Sequence, residues 1–174
     1  MLIGISGLKG SGKTTVARYL RDEHGFDMFN FADPLKRAAQ EVFLLSEAQC
    51  YDQELKEQVD PRWDKTPRKI LQLFGTEVGR AIDKDTWIKR TMFDAEPSEN
   101  AVIGDCRFQN EADAIRAHGG IVLGIDRRGI VPDNHPSEME MFTNWSDIVD
   151  ITISNSGTLE DLLRTVEATL EMVL

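Results

Sequence analysis

The amino-acid sequence predicts an α/β fold in which a mostly parallel sheet of five strands carries helices on both faces. One observation is the alternation of short apolar runs with longer segments of helical periodicity, which is typical of strand–helix–strand units with right-handed crossovers. A second is that unusual polar residues directly follow the apolar runs, and ligands of such folds bind at the carboxyl ends of the strands. The 174 residues suit one domain with an ordinary hydrophobic core.

Each predicted element has its own signal in the chain. Strands are predicted at residues 2–6, 26–31, 101–104, 120–126 and 151–154, where short apolar runs are rich in β-branched or aromatic side chains. Helices are predicted at residues 13–23, 33–45 and 67–80, from about 85, at 109–118 and from 158 onward. Asp33 before Pro34 and Thr66 before Pro67 predict two helix starts, because a capping side chain followed by proline suits a first turn.

The composition narrows the class of protein. The formal net charge of −10 argues against a general nucleic-acid surface, which needs a basic field. No apolar run approaches the roughly 18 residues of a membrane helix, and the beginning of the chain lacks the features of a signal peptide. Cys50 and Cys106 lack metal-ligand spacing, which suits a reducing compartment. We therefore expect a cytoplasmic protein that binds neither nucleic acid nor membrane.

One segment departs from this acidic background. Residues 62–90 contain eight lysines and arginines against four acids, which indicates a local pocket for a small anion, although lysines that simply face solvent explain several of these charges. The same segment contains the helix at 67–80, in which Gly75 and Gly79 each cost about 1 kcal/mol relative to alanine. We expect Gly75 to leave its backbone bare for a ligand. For Gly79, close packing of a neighbouring helix explains the glycine equally well.

The segment GLKGSGKT at residues 7–14 matches the phosphate-loop pattern G-x-x-x-x-G-K-[ST] at every fixed position, between a predicted strand and a predicted helix. Its glycines let successive N–H groups point inward, and the helix N-terminus adds a partial positive charge. Lys13 is expected to reach the β- and γ-phosphates, and the Thr14 hydroxyl to ligate Mg²⁺. The predicted ATP-binding residues are Gly7, Lys9, Gly10, Ser11, Gly12, Lys13, Thr14 and Thr15. The fold class is therefore the P-loop NTPase three-layer αβα sandwich.

A phosphate loop also needs an acidic residue on the side of the metal. Asp105 follows the strand at 101–104 and is the residue we favour as a further Mg²⁺ ligand, with Asp126 as the alternative. Arg107 follows at the same rim, where its guanidinium group either grips a phosphate or caps a backbone carbonyl.

The polar segment at 127–144 begins with two arginines and contains one glycine and two prolines. We interpret it as a lid that closes over the substrates. Arg127 and Arg128 either stabilise charge on a transferred phosphoryl group or face solvent.

A phosphate loop predicts nucleotide binding but not a reaction. A nucleotide switch needs a base-selecting N-K-x-D or T-K-x-D motif, and the sequence contains neither. A mechanical ATPase usually has a longer chain or a motor partner. A small-molecule kinase needs an acceptor pocket and a cationic lid, because phosphoryl transfer is mostly positioning and charge stabilisation. We therefore interpret the chain as a kinase.

Six features occur along the chain in this order: GLKGSGKTT, FADPLK, PRKILQLFGTE, a tryptophan eleven residues after Thr76, VIGDCRFQNE and HPSE. Together they resemble the deoxynucleoside monophosphate kinases of bacteriophages. The resemblance covers most of the chain, and PRKILQLFGTE with GDCRFQNE is much more specific than the phosphate loop. Dephospho-coenzyme A kinase and cellular nucleoside monophosphate kinases share the fold type and are the nearest alternatives. An ATP-binding regulatory module is the alternative outside the enzymes.

The resemblance implies transfer of the ATP γ-phosphate to a deoxynucleoside 5′-monophosphate, giving the diphosphate and ADP with Mg²⁺, for deoxynucleotide supply. It implies one kinase domain over residues 1–174, with an NMP-kinase-like acceptor-binding insertion at about 33–95 and the lid at 127–144. A homodimer, located in the host cytoplasm if the chain is phage-encoded, is also implied.

The implied site residues fall into two groups. The catalytic group is Lys13, Asp105, Arg127 and Arg128, and the acceptor group is Lys36, Arg68, Lys69, Gln72, Gly75, Thr76, Trp87, Asp105 and Arg107. Arg68 offers a fork for the monophosphate, and Gln72 offers a donor and an acceptor to a base edge. Trp87 either stacks on the base or packs in the core. His135 and Glu138 in HPSE match a family motif whose role the sequence does not reveal.

Overall fold

The structure, a computed structural model, describes residues 1–132 and 136–173. The chain divides into two compact units, one made of Met1–Asn30 with Ala95–Leu174 and the other of Phe31–Asp94. The functional division expected from the sequence, a kinase domain with an acceptor-binding insertion at about 33–95, stays a prediction. Among the residues described, none of the helices has both the length and the apolar character to span a membrane.

The first unit is built on a five-stranded sheet in which all strands run parallel, and this confirms the predicted fold class. The strands are β1 (Leu2–Ser6), β2 (Asp27–Phe29), β3 (Ala101–Ile103), β4 (Ile121–Asp126) and β5 (Ile151–Ser154). Their spatial order is β2-β3-β1-β4-β5, so β1 lies at the centre and pairs with β3 and β4. The carboxyl end of β1 is therefore the point where the strand order reverses, which is where open α/β sheets bind ligands.

Helices account for most of the remaining chain. They are α1 (Lys13–His24), α2 (Ala32–Phe43), α3 (Glu47–Tyr51), α4 (Pro67–Leu73), α5 (Thr86–Ala95), α6 (Gln109–Ala117), α7 (Pro136–Thr143), α8 (Trp145–Ile148) and α9 (Leu159–Val173). The predicted elements agree with the observed ones to within a few residues at their ends, whereas α3, α7 and α8 were not predicted. α1, α6 and α9 belong to the first unit, and α2 to α4 to the second.

The core of the first unit lies on both faces of the sheet. On one face Ile3 and Ile5 of β1 pack in a buried cluster with Leu20 of α1 and Val166 of α9. The other face of β1 lies against α6, where a Cβ added to Gly4 would come within 2.5 Å of the Ile115 side chain. The alternation of side chains along β1 thus produces the three predicted layers.

Two predicted helix starts in the second unit have different outcomes. Thr66 caps α4 as expected, since its hydroxyl accepts a hydrogen bond from the Lys69 N–H at 3.2 Å. The prediction for Asp33 is wrong, because α2 already begins at Ala32 and places Asp33 in the first turn. There its carboxylate accepts a hydrogen bond from the Tyr51 hydroxyl at 3.0 Å, and its charge suits a helix N-terminus.

The helix that begins with α4 changes its winding. It continues as a π-helical segment at Phe74–Gly79 and ends with an α-helical turn at Arg80–Ile82. A π-helical turn holds more residues than an α-helical one, so it rotates every later side chain out of the 3.6-residue period. A 3.6-residue period predicts that Ile70 and Val78 share one buried face of this helix. Ile70 is buried, but Val78 is 48% exposed, so the prediction is wrong for Val78.

The two glycines of this helix pack against side chains of the same unit. A Cβ on Gly79 would lie 2.4–2.7 Å from atoms of the Trp87 indole, and a Cβ on Gly75 would lie 2.8 Å from Cδ2 of Leu35. The Trp87 Nε1–H also donates a hydrogen bond to the Gly75 carbonyl at 3.0 Å. Packing of a neighbouring helix is therefore the reason for Gly79. Leu35 covers the backbone that we expected Gly75 to leave bare, which corrects that expectation.

We predict that Gly79→Ala lowers the free energy of unfolding by about 1–3 kcal/mol, because the added methyl group overpacks against a rigid indole. Urea denaturation followed by tryptophan fluorescence measures the change. Gly75→Ala is the matched comparison and should cost less, since the methyl group of Leu35 can move aside. A Gly79→Ala protein as stable as the unchanged protein would contradict the packing.

Candidate functional site

The phosphate loop joins β1 to α1 and has the backbone that its sequence predicts. Gly7, Gly10 and Gly12 have φ values of 145°, 81° and 110°, which L side chains rarely adopt. Gly12 directly precedes α1, so the loop runs into the helix N-terminus and its partial positive charge. This arrangement is suited to holding a polyphosphate.

Lys13 is the first residue of α1 and is half-buried beneath the loop. Its Nζ donates hydrogen bonds to the carbonyl oxygens of Gly7 at 2.6 Å and Leu8 at 2.8 Å. Burial lowers the pKa of Lys13 to about 8, and the positive charge of Arg107 acts in the same direction. The charges of Glu138 and Asp105 raise the pKa against these effects, so each of the three side chains lies within electrostatic reach of Lys13.

The Ser11 hydroxyl marks the same place. Its side chain is buried, and its Oγ has no hydrogen-bond partner within the part of the chain that the structure describes. A buried hydroxyl without a partner is costly, and a phosphate oxygen would satisfy it. The predicted role of Ser11 in nucleotide binding fits this geometry.

A cavity of about 420 Å³ opens beside the loop. Its walls come from the phosphate loop and the first turn of α1, from the residue after β4, and from the connection between β5 and α9. The lining includes Gly10, Gly12, Lys13, Thr14, Thr15, Arg127, Asn155 and Gly157. This volume lies in the range of small-molecule sites.

The two arginines after β4 differ. Arg127 lines the cavity and its Nη1 donates a hydrogen bond to the Gly10 carbonyl at 3.3 Å. Arg128 is exposed, and its backbone N–H donates to the Ser156 hydroxyl at 3.3 Å. Both residues are exposed, and Arg127 is the one whose side chain contacts the phosphate loop.

Mg²⁺ suits the oxygen donors at this site. Thr14 is exposed in the first turn of α1. Asp105 follows β3, whose carboxyl end lies beside that of the central strand β1. Hard oxygen ligands of this kind, few in number and completed by phosphate oxygens, are typical of Mg²⁺.

Three residues that the sequence analysis did not assign hold the loop from outside. Nδ2 of Asn155 donates a hydrogen bond to the Ser11 carbonyl at 2.7 Å. From α7, the Glu138 carboxylate accepts a hydrogen bond from the Lys9 N–H at 2.8 Å, and Sδ of Met141 accepts hydrogen bonds from the Ser6 hydroxyl and the Gly7 N–H, both at 3.2 Å.

The sequence carried only partial signals for these three residues. HPSE pointed to Glu138 without a role, and Asn155 is a polar residue directly after a strand, while Met141 looks like any apolar residue of a helix. α7 forms part of the segment at 127–144 that we interpret as a lid, and lid closure stays a prediction. His135 lies outside the described residues.

The predicted acceptor residues lie mostly in the second unit. Arg68, Gln72 and Thr76 follow one another at four-residue spacing and reach solvent, and Lys69 is exposed beside them. The Arg68 guanidinium pairs with Glu57. This row of side chains is open to a ligand.

Two further acceptor candidates of this unit have internal partners. Nζ of Lys36 lies 3.6 Å from the Asp33 carboxylate and 3.9 Å from the centre of the Tyr51 ring. Trp87 is half-buried and packs against Gly79, as described above. A stacking role for Trp87 stays a prediction. Asp105 and Arg107 belong to the first unit.

We predict that Asn155→Ala weakens binding of a polyphosphate nucleotide by about 3- to 10-fold, the ratio expected for loss of one buried hydrogen bond. The loop then loses the donor that fixes the Ser11 carbonyl. Calorimetric titration with ATP measures the effect. Asn100→Ala, directly before the first residue of β3 and at the opposite end of the sheet from the loop, is the control. Unchanged ATP affinity of Asn155→Ala would show that the hydrogen bond does not shape the site.

Comparisons with known proteins identify the family of this chain. A family model described as "Deoxynucleotide monophosphate kinase" matches residues 49–166. A protein of Acanthamoeba polyphaga mimivirus, provisionally named a deoxynucleotide monophosphate kinase, is 45% identical over 179 residues, covering 92% of this chain and 91% of that protein. The deoxynucleotide monophosphate kinase of Enterobacteria phage T4 is 23% identical over 244 residues, covering 99% of both.

Solved structures share the fold. Shikimate kinase from Aquifex aeolicus has a TM-score of 0.54 at 17% identity, over 98% of this chain and 96% of that chain. Dephospho-CoA kinase from Campylobacter jejuni has a TM-score of 0.54 at 14% identity, over 99% of this chain and 98% of that chain. At such identities the likeness concerns the fold alone. The family model and the mimivirus relative confirm the resemblance seen in the sequence and the kinase class, and the chain belongs to the deoxynucleotide monophosphate kinase family.

Proposed function

We propose that the protein transfers the γ-phosphate of ATP to a deoxynucleoside 5′-monophosphate, giving the deoxynucleoside diphosphate and ADP. The observation that carries this proposal is a complete phosphate loop, with its glycine backbone, its buried Lys13 and its unpartnered Ser11 hydroxyl, in a chain of this family. The reaction supplies deoxynucleotides for DNA synthesis.

The ATP site is the phosphate loop with the neighbouring cavity. The loop N–H groups and Lys13 hold the phosphates, while the 420 Å³ cavity takes the nucleoside and Arg127 lies at its wall. Thr14 and Asp105 are the residues that hold Mg²⁺, which neutralises charge on the phosphates when bound. The side chain of Arg128 is exposed and can approach the phosphates if the segment at 127–144 closes as a lid.

Chemistry at this site needs positioning more than proton transfer. An oxygen of the acceptor phosphate attacks the γ-phosphorus, and the bond from the γ-phosphorus to the bridging oxygen breaks, so that ADP leaves with the electron pair. The acceptor phosphate is already an anion and needs no general base. Lys13 and Arg107 supply positive charge where negative charge builds up on the transferred group.

The acceptor is bound by the row of polar side chains in the second unit. The planar guanidinium group of Arg68 pairs with the Glu57 carboxylate. A monophosphate also presents two oxygens that such a group can bind with two parallel hydrogen bonds. Gln72 and Thr76, one and two turns further along, can reach the sugar and the base edge, and Lys36, Lys69 and Trp87 are further candidates. We also propose that the protein works in a cytoplasm, that of the host if it is virally encoded, and as a homodimer.

Turnover with each deoxynucleotide is the direct test of this function. We expect ADP to form when the protein is incubated with Mg-ATP and at least one of the four deoxynucleoside monophosphates, but not with dephospho-coenzyme A. Lys13→Met should abolish ADP formation while keeping the size of the side chain. Absence of ADP with every deoxynucleotide would exclude the proposed reaction, and ATP binding without turnover would favour a regulatory module.

For the acceptor site, we predict that Arg68→Ala raises the KM for the deoxynucleotide about tenfold or more, because a bidentate contact to phosphate is lost. The dissociation constant for ATP should stay within about twofold. Arg68→Lys should restore little, since it keeps the charge but not the fork. Arg90→Ala removes an arginine of the same unit that pairs with Asp94 and serves as the control. Equal losses of ATP and acceptor affinity would contradict an acceptor role for Arg68.

A further inference from the structure

Glu138 is a buried carboxylate at the mouth of the phosphate loop. Its residue is 3% exposed, and Oε1 accepts a hydrogen bond from the Lys9 N–H at 2.8 Å. Three residues later on the same helix, Met141 is 1% exposed and contacts Ser6 and Gly7 through its sulfur. α7 is therefore seated on the loop by two buried side chains.

A carboxylate is rarely buried without a compensating charge, because its desolvation is costly. The compensating partner here is the backbone of the phosphate loop, because the carboxylate accepts the Lys9 N–H at 2.8 Å. N–H groups of such a loop carry partial positive charge and bind phosphate oxygens. Glu138 therefore occupies a donor that the loop offers to an anionic ligand.

We propose that Glu138 is a positioning residue that serves as the anion of the phosphate loop while no nucleotide is bound, and that the γ-phosphate of ATP displaces its carboxylate. Two anions at the same loop N–H group repel each other strongly in a partly buried site, so the loop favours one at a time. The inference rests on the proposed function only in taking ATP as the phosphate donor.

This arrangement gives Glu138 two separable effects. The hydrogen bond to the Lys9 N–H holds the empty loop in shape, whereas the negative charge opposes the incoming triphosphate. Glu138→Gln keeps an oxygen acceptor for the N–H and removes the charge. Glu138→Ala removes both, and Glu140→Gln removes the same charge from the same helix as the matched control.

The experiment is calorimetric titration of each variant with ATP, ADP and AMP, in the absence and presence of Mg²⁺. We expect Glu138→Gln to bind ATP about fivefold or more tightly than the unchanged protein, the lower end of typical coupling between two sites. The gain should be smaller for ADP and absent for AMP, because the repelled group is the terminal phosphate. For Glu138→Ala the change in affinity should again be largest for ATP, smaller for ADP and absent for AMP. Glu140→Gln should bind all three nucleotides as the unchanged protein does.

Turnover separates this role from a merely structural one. With saturating acceptor, Glu138→Gln should lower the KM for ATP and change kcat by less than about twofold, since the carboxylate leaves before the reaction. ATP affinity that is unchanged or weaker in Glu138→Gln would overturn the proposal. A large loss of kcat at unchanged ATP affinity would overturn it as well, because Glu138 would then act on the reacting groups.

The result is independent of the acceptor reaction. A protein that binds ATP but phosphorylates no deoxynucleotide would refute the proposed function and leave the role of Glu138 open to the same titration. An active kinase whose Glu138→Gln variant binds ATP no better would refute the role of Glu138 and leave the proposed function intact. Thermal unfolding of each variant confirms that the compared proteins are folded.

Discussion

The backbone of residues 7–14 is the constraint on which the rest of the first unit depends. A phosphate loop gathers backbone N–H groups with partial positive charge and uses backbone angles that only glycine adopts readily. Such a loop is not stable by itself. The surrounding elements stabilise it from three directions: Lys13 from below, Asn155 from the β5 side, and α7 from the other side.

Electrostatics at this loop is shared among residues that are distant in the chain. Asp105 and Arg107 follow β3, and Glu138 lies on α7. Each of the three shifts the pKa of Lys13, the first residue of α1. The parallel sheet makes this possible, because the carboxyl ends of β1 and β3 are neighbours. The order of the strands, rather than any local motif, thus brings the charges that follow β3 close to Lys13.

How much the sequence could predict depends on how far apart along the chain the interacting residues lie. The phosphate loop, the five strands and the Thr66 cap were predictable, because each depends on residues within a few positions of one another. Asn155 lies 144 positions from its partner Ser11, and Glu138 lies 129 positions from Lys9, so nothing in the local pattern identified either contact. The π-helical segment was missed for a different reason. Its hydrophobic pattern fits an α-helix as far as Leu73, and the two glycines of the π-helical segment pack against Leu35 and Trp87, which lie outside the segment.

The contact between Gly79 and Trp87 also constrains how this chain can change over evolutionary time. The indole lies where the side chain of residue 79 would be, so the identity of each position limits the other. A larger residue at 79 costs stability while the tryptophan is present, and it costs less once the aromatic ring has been replaced by a smaller side chain. Substitutions at the two positions should therefore occur as pairs and in a fixed order, which makes them a correlated mark of the π-helical turn in sequences whose structures are unknown.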